Sequence, residues 1–181
     1  LIDGSQVVSS TSIGIAWLES NNRNADDLMK QADLALYAAK ANGRNRSAAY
    51  ETGMDEAAQE RRALEMDLRA ALAKNEFELV YQPLVNIESG LTVAYEALLR
   101  WHHPERGLVM PDDFIPIAED TGLIVQLGEW VIREATREVS LWPEHLRVSV
   151  NLSPVQMRSA NLIGTVFNAV ANAQIDPCRL E

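Results

Sequence analysis

One stretch of the chain places an acid and a cation on the same side of an otherwise apolar segment. It is LTVAYEALLRW at residues 91–101, in which Glu96 and Arg100 interrupt aliphatic and aromatic residues. With the two-residue period of a strand, Glu96, Leu98 and Arg100 point to one face of a sheet. A buried carboxylate is costly unless a cation or a hydrogen-bond donor meets it. The residues alone leave two interpretations open: a structural or solvent-facing pair, or an acid that binds a ligand.

A second strand precedes this stretch and pairs with it. Residues 77–81 alternate like a strand that Gln82-Pro83 should end, and a short turn follows at 86–90. Two strands joined by so short a turn must be antiparallel. One of them therefore cannot belong to a simple parallel ladder.

Helices and strands alternate in the rest of the chain. After a loop, Asp112 or Asp113 caps a short helix, and a second, amphipathic helix spans about 124–141. A strand follows at 147–152, and Ser153 is the N-cap of the next helix. This rhythm predicts an α/β fold built from parallel units of a truncated barrel.

The first quarter of the chain predicts a separate α+β piece. A strand at 7–17 contains Gly14, which indicates close approach of a neighbour or a ligand. Asn24 caps a helix that ends at Asn42-Gly43. From 48 to 75 the composition predicts a charged helical linker that becomes the first helix of the next domain.

Charge and cysteine content narrow the class of protein. Among 181 residues, 16 basic and 26 acidic side chains give a formal charge of -10, which disfavours a DNA or RNA duplex as partner. Cys178 is the single cysteine, which predicts a reducing cytoplasm. The sequence has no apolar run of about 18 residues, and both ends look cut, so a membrane anchor could lie upstream.

Three segments near the N-terminus resemble a known family. They are SIGIA at 12–16, ADDLMKQADLALYAAK at 25–40 and NGRNR at 42–46, and together they look like the C-terminal end of a GGDEF (diguanylate cyclase) domain. In that family a lysine and an arginine contact the terminal phosphates of the nucleotide, and Lys40 and Arg44 match them. Cations near a helix C-terminus are also ordinary partners of the helix dipole. The resemblance neither supports nor excludes cyclase activity.

Four motifs in the second part resemble another family. YQPL at 81–84, EALLRW at 96–101, PDDFIPIAEDTGLI at 111–124 and VNLSP at 150–154 look like the N-terminal half of an EAL (cyclic di-GMP phosphodiesterase) domain. The resemblance implies an irregular TIM-like barrel with one antiparallel strand. It divides the chain into a GGDEF end at 1–47, a helical linker at 48–63 and an EAL part at 64–181.

The EAL resemblance also assigns roles to single residues. Glu96 and Asn151 match metal-binding positions of the family, and their oxygen atoms suit Mg²⁺ or Mn²⁺. Arg100 matches an arginine that meets a ligand phosphate, which suits its planar fork. Three further positions match residues at the bound dinucleotide or at the edge of its site: Gln82, Leu99 and Glu119.

Plainer roles stay open for several of these residues. Asn151 could bond its own backbone in a turn, Leu99 could be ordinary core, and Glu119 could only keep its helix soluble. We expect the adjacent residues His102 and His103 to be a solvent-facing loop pair rather than metal ligands. We expect Cys178 to be a small apolar residue rather than a nucleophile.

By resemblance, the full-length parent hydrolyses cyclic di-GMP to the linear dinucleotide pGpG. Further acids and a lysine of the family lie beyond residue 181, so we expect these residues alone to be inactive and poorly stable. Alternatives are an inactive cyclic di-GMP receptor, a bifunctional cyclase and phosphodiesterase, or a structural module that binds no cyclic di-GMP. The parent could also form a homodimer through its EAL part or its linker helix.

Overall fold

The chain folds as two compact α/β units that divide between Leu64 and Glu65. The computed structural model describes residues 10–18 and 24–181. In the first unit, β1 (Ile13–Ile15) and β2 (Ser47–Ala49) form a parallel pair, and α1 (Ala25–Ala41) packs against them. The long helix α2 (Met54–Ala71) contains the division between the units.

Gly14 is a point of close approach between β1 and α1, as its place in a strand predicted. A Cβ atom there would lie 2.0 Å from the carbonyl oxygen of Ala32, so no larger residue fits. The start of α1 is also confirmed, because Asn24 Oδ1 accepts a hydrogen bond of 2.8 Å from the Asp27 amide. The strand predicted at 7–17 is shorter in the structure, and its residues 7–9 lie outside the described residues.

The helix predicted from residue 48 begins only at Met54. Residues Ser47–Ala49 form β2 instead, with Ala48 paired to Gly14. Alanine favours a helix, but β1 offers a parallel partner and Gly53 takes a φ of 99°, which interrupts any helix before it. Tertiary pairing here overrides local propensity.

The second unit is built on an open four-stranded sheet. β3 (Phe77–Val85) and β4 (Thr92–His103) are antiparallel, and the predicted turn between them is confirmed. β5 (Gly107–Val109) pairs with the C-terminal end of β4, and β6 (Arg147–Val150) pairs in parallel with its middle. Leu180 adds a parallel bridge to Val148. This is the predicted α/β fold of a truncated barrel, in which β3 and β5 both run antiparallel to β4.

Helices cover the sheet and supply its core. They are α3 (Pro111–Thr121), α4 (Leu123–Val139), α5 (Pro154–Met157) and α6 (Leu162–Ala173), followed by a 3-10 helix, Pro177–Arg179. Residues of α4 meet the sheet in one buried cluster of Leu79, Ala97, Val131, Ala135, Val139 and Val148. Trp142 packs against Tyr81 and Tyr95 with ring centroids 5.1 Å apart. None of the helices in the described ranges is long and apolar enough to cross a membrane.

Several local predictions in this unit were wrong. β3 continues through Pro83, which is tolerated because β4 is its single strand partner among the described residues. Leu108 lies in β5, where a loop was expected. Asp112 and Asp113 lie in the first turn of α3, whose N-cap is Met110.

Candidate active site

Glu96 and Asn151 come together where β6 ends. The parallel register sets Glu96 opposite Ser149, and Asn151 follows Ser149 by two residues, on the same face. Asn151 Nδ2 donates a hydrogen bond of 2.6 Å to Glu96 Oε1. The half-buried carboxylate therefore has the donor that its burial requires, supplied from a residue 55 positions along the chain.

Arg100 and Gln82 extend this site along and across the strands. Arg100 lies four residues beyond Glu96 on the same face of β4, and its Nη1 donates to the Leu99 carbonyl at 2.8 Å. Gln82 is exposed and lies directly opposite Glu96 in the antiparallel register. Within residues 10–18 and 24–181 no ion pair joins Glu96 to Arg100, so the structure does not support a structural pair between them.

Leu99 differs from the other predicted site residues because it belongs to the opposite face of β4. It is half-buried and packs against the cluster under α4. It also borders a cavity of about 330 Å³. This cavity lies beside residues 98–100 of β4, which pair with neither β6 nor β5. Arg100, Glu119 and Asn151 line the same cavity. Leu99 thus has a packing role and a place at the wall of the site.

Glu119 contacts the residue that caps the helix after Asn151. Its Oε1 accepts a hydrogen bond of 2.6 Å from Ser153 Oγ, and both side chains are half-buried. Sequence reasoning put Glu119 at the edge of the site but gave no signal for this partner, which lies 34 residues away. The contact links α3 to the segment that carries Asn151.

The donor set around Glu96 fits a hard divalent cation. Glu96 offers carboxylate oxygens, and the Asn151 amide, already within hydrogen-bond distance of it, carries a carbonyl oxygen. Mg²⁺ and Mn²⁺ prefer such oxygen ligands and usually keep several waters. In the part of the chain that the structure describes, no three acidic, histidine or cysteine side chains cluster as a metal site. The two residues can therefore supply a part of a coordination shell.

The two adjacent histidines end β4 and do not lie in a loop, and of the two only His102 is solvent-facing as predicted. His102 is exposed and pairs with Glu78, with 2.7 Å between Nε2 and Oε2. His103 is not a solvent-facing loop residue: it is 7% exposed, ends β4, and places its Nε2 3.1 Å from Asp67 Oδ2. Its Nδ1 accepts hydrogen bonds from the amides of the next turn, which fixes the hairpin into β5. A loop was expected here, but β5 pairs back on this end of β4.

Cys178 is exposed, so it is not part of the apolar packing. A hydrogen bond to Asp176 raises the pKa of its thiol. A raised pKa keeps the thiol protonated at neutral pH, which opposes a nucleophilic role.

The residues predicted for the GGDEF end lie at the C-terminus of α1 in the first unit. Lys40 is exposed in the last turn of α1. Arg44 follows with a φ of 56°, and its amide donates to the Ala39 carbonyl at 3.2 Å. Both cations are thus held near the end of the helix.

Barrel enzymes place their active sites at the C-terminal ends of the parallel strands, and Asn151 lies at that end of β6 beside Glu96. The chain belongs to the EAL domain family, whose model matches residues 65–181. The model of the diguanylate cyclase, GGDEF domain, matches residues 2–46. Both predicted resemblances are therefore confirmed.

Curated relatives are similar to this chain over almost its whole length. It is 43% identical over 179 residues to the bifunctional diguanylate cyclase/cyclic di-GMP phosphodiesterase MucR of Pseudomonas aeruginosa, covering 97% of this chain and 26% of that protein. It is 34% identical over 179 residues to the cyclic di-GMP phosphodiesterase PdeR of Escherichia coli, covering 97% and 27%. The chain thus spans about a quarter of the length of these relatives.

Solved structures of EAL domains share the fold. A structure of the MucR phosphodiesterase in complex with c-di-GMP is 44% identical, with a TM-score of 0.63 over 65% of this chain and 49% of that one. The FimX EAL domain from Pseudomonas aeruginosa bound to c-di-GMP is 28% identical, with a TM-score of 0.58 over 65% and 48%. These likenesses confirm the predicted EAL-type barrel, of which this chain holds a part.

Proposed function

We propose that this chain carries the first half of a metal-dependent phosphodiesterase site, and that the complete protein hydrolyses cyclic di-GMP to pGpG. The observation that carries the proposal is the 2.6 Å contact between Glu96 and Asn151 where a parallel strand ends. The names of the relatives MucR and PdeR support the substrate. In this proposal residues 1–47 end a GGDEF domain, 48–63 link it to the next domain, and 64–181 begin the EAL domain.

Each site residue has a distinct role in the proposed reaction. Bound Mg²⁺ or Mn²⁺ would polarise a phosphate and lower the pKa of a bound water. Glu96 and Asn151 would hold the ion with carboxylate and amide oxygens. Arg100 leaves the Leu99 carbonyl and holds a phosphate through two parallel N–H groups, which neutralises charge on the substrate. Gln82, Leu99 and Glu119 form the edge of the site.

A Glu96→Gln variant of the complete protein tests the proposal. We expect hydrolysis to fall at least a hundredfold, because loss of a metal ligand should cost no less than loss of a group that supports one, which costs about 10–100-fold. The matched control is Glu78→Gln, an acid on the neighbouring strand that pairs with His102. Normal hydrolysis by the Glu96→Gln protein would contradict the proposal. Cyclic di-GMP binding without hydrolysis in the unaltered protein would instead identify a receptor.

A second activity is favoured by one relative. MucR is named a bifunctional cyclase and phosphodiesterase, and its similarity covers 97% of this chain. In the bifunctional case Lys40 and Arg44 would contact nucleotide phosphates at the end of α1. Synthesis of cyclic di-GMP from GTP by the complete protein, lost in a Lys40→Ala variant, would establish it.

The cellular setting belongs to the same proposal. The single cysteine and the nucleotide substrate favour the cytoplasm, with any membrane anchor supplied by upstream segments. A homodimer of the complete protein, through the EAL part or α2, would appear as a doubled mass in light scattering.

A further inference from the structure

The segment that carries Asn151 is fixed at both ends. Before it, the Val150 amide donates to the Glu181 carbonyl at 2.9 Å, and Val150 pairs with Ala97 in the sheet. After it, Ser153 is the N-cap of α5. Two residues, Asn151 and Leu152, therefore lie between two anchored positions, so a shift of Ser153 moves the Asn151 side chain.

Ser153 is held by hydrogen bonds in three directions. Its Oγ accepts from the Val155 amide at 3.1 Å. A capping box also joins Ser153 to Gln156: the Gln156 amide donates to Ser153 Oγ, and the Ser153 amide donates to Gln156 Oε1 at 3.0 Å. Ser153 Oγ also donates to Glu119 Oε1 at 2.6 Å. A bond of this length to a carboxylate belongs to the stronger, charge-assisted class. Glu119 thus adds a tertiary anchor to a local cap.

Gly128 of α4 gives Gln156 the room that this cap needs. A Cβ at Gly128 would lie 1.7 Å from Gln156 Nε2, and the Gln156 side chain is 4% exposed. Any larger residue at 128 must displace the Gln156 amide, which would break its bond to the Ser153 amide. α3 and α4 therefore both act on the same capping residue.

We propose that Ser153, held by Glu119 of α3 and by Gln156 across Gly128 of α4, is a positioning residue that keeps the Asn151 amide beside Glu96. This inference rests on the proposed function, because it assigns the two helices a role in setting the metal affinity of that site. Glu119 lines the cavity beside Arg100, and in this inference it acts on the metal site through Ser153. Groups that orient metal ligands typically change metal affinity by about 10–100-fold when they are lost.

The test uses Mn²⁺ and the complete protein. Calorimetry gives the Mn²⁺ dissociation constant, and kinetics give the Mn²⁺ dependence of hydrolysis and the KM for cyclic di-GMP. For Glu119→Ala we expect Mn²⁺ affinity to fall about tenfold. We expect kcat at saturating Mn²⁺ to stay within about twofold, and KM for cyclic di-GMP to change less than the Mn²⁺ affinity, because Glu119 lines the cavity but acts on Mn²⁺ through Ser153. Glu119→Gln should restore most of the affinity, because its amide oxygen still accepts from Ser153.

Control and companion variants separate positioning from folding. Asp112→Ala removes an exposed acid of the same helix and should leave Mn²⁺ affinity unchanged. Should Glu119→Ala fail to fold, Gly128→Ala carries the same readout, with a loss of about threefold, because it disturbs Ser153 through Gln156 alone. Unchanged Mn²⁺ affinity in folded Glu119→Ala or Gly128→Ala protein, a raised KM as the main effect, or no rescue by Glu119→Gln would each overturn the inference. An unaltered protein that neither binds Mn²⁺ nor hydrolyses cyclic di-GMP would instead overturn the proposed function.

Discussion

The side chains on the two faces of β4 have different surroundings. On one face, Tyr95, Ala97, Leu99 and Trp101 pack against helices and aromatic rings, and Trp101 is fully buried between Phe77 and Phe114. On the other face, Glu96 and Arg100 are half-buried, and their partners are a side-chain amide and a backbone carbonyl. One strand therefore serves as core on one face and carries the proposed binding residues on the other.

One barrel strand can thus contribute to stability through one face and to chemistry through the other. The packed face is covered within the described chain, since Ala97 and Leu99 join the apolar cluster under α4, and Tyr95 and Trp101 pack against aromatic rings. On the other face, the roles we propose for Glu96 and Arg100 are to hold an ion and a phosphate. Substitutions on the first face should change the free energy of unfolding, and those on the second should change binding and rate.

The largest effect should come from placing a charge on the packed face. Ala97→Asp puts a carboxylate beside Leu79, Val131 and Val148, with no donor in that cluster. We expect a loss of about 3–5 kcal/mol in the free energy of unfolding, because the charge is buried without a partner. Denaturant unfolding of the complete protein measures it. Leu98→Asp, on the half-buried face, is the control, and equal losses in the two variants would remove the distinction.

Much of this two-faced strand could be predicted from the sequence. The period-two pattern around Glu96 gave the faces, and the short turn at 86–90 gave the antiparallel pair. The burial of His103 and the strand β5 could not be predicted, because β5 has three residues and is formed by pairing with β4. The bond from Ser153 to Glu119 also gave no signal, since it depends on how α3 folds back toward β6.

A second prediction concerns the Asn151 amide, which contacts Glu96 on the half-buried face of β4. Asn151→Ala should lower hydrolysis about a hundredfold at fixed Mg²⁺, because it removes one oxygen donor and the partner of Glu96. Thermal unfolding should change little, since Asn151 is exposed. Steady-state kinetics and calorimetric melting measure the two quantities. A large fall in Tm with a normal rate of hydrolysis would show that Asn151 contributes to stability and not to the reaction.

The Arg100→Lys variant should have a smaller effect. Lysine keeps the charge but loses the two parallel N–H bonds, so we expect KM for cyclic di-GMP to rise about tenfold with kcat less affected. Arg147→Lys is the matched control, because Arg147 pairs with Glu181 near the surface. An unchanged KM in Arg100→Lys protein would show that Arg100 does not hold the substrate.

The smallest effect is expected at the rim of the same face. His102→Ala removes an exposed pair with Glu78, and exposed pairs contribute about 0–1 kcal/mol. We expect less than about 1 kcal/mol change in the free energy of unfolding and an unchanged rate. A change in the rate of hydrolysis greater than tenfold would show that the face of β4 that carries Glu96 takes part in the reaction as far as the end of the strand.

The most direct test is to locate manganese in crystals of the complete protein by anomalous diffraction. We expect one Mn²⁺ about 2 Å from a Glu96 oxygen and from the Asn151 carbonyl oxygen, with the amide turned so that oxygen faces the ion. Manganese bound elsewhere, with the Asn151 Nδ2 still hydrogen-bonded to Glu96, would contradict a shared metal site.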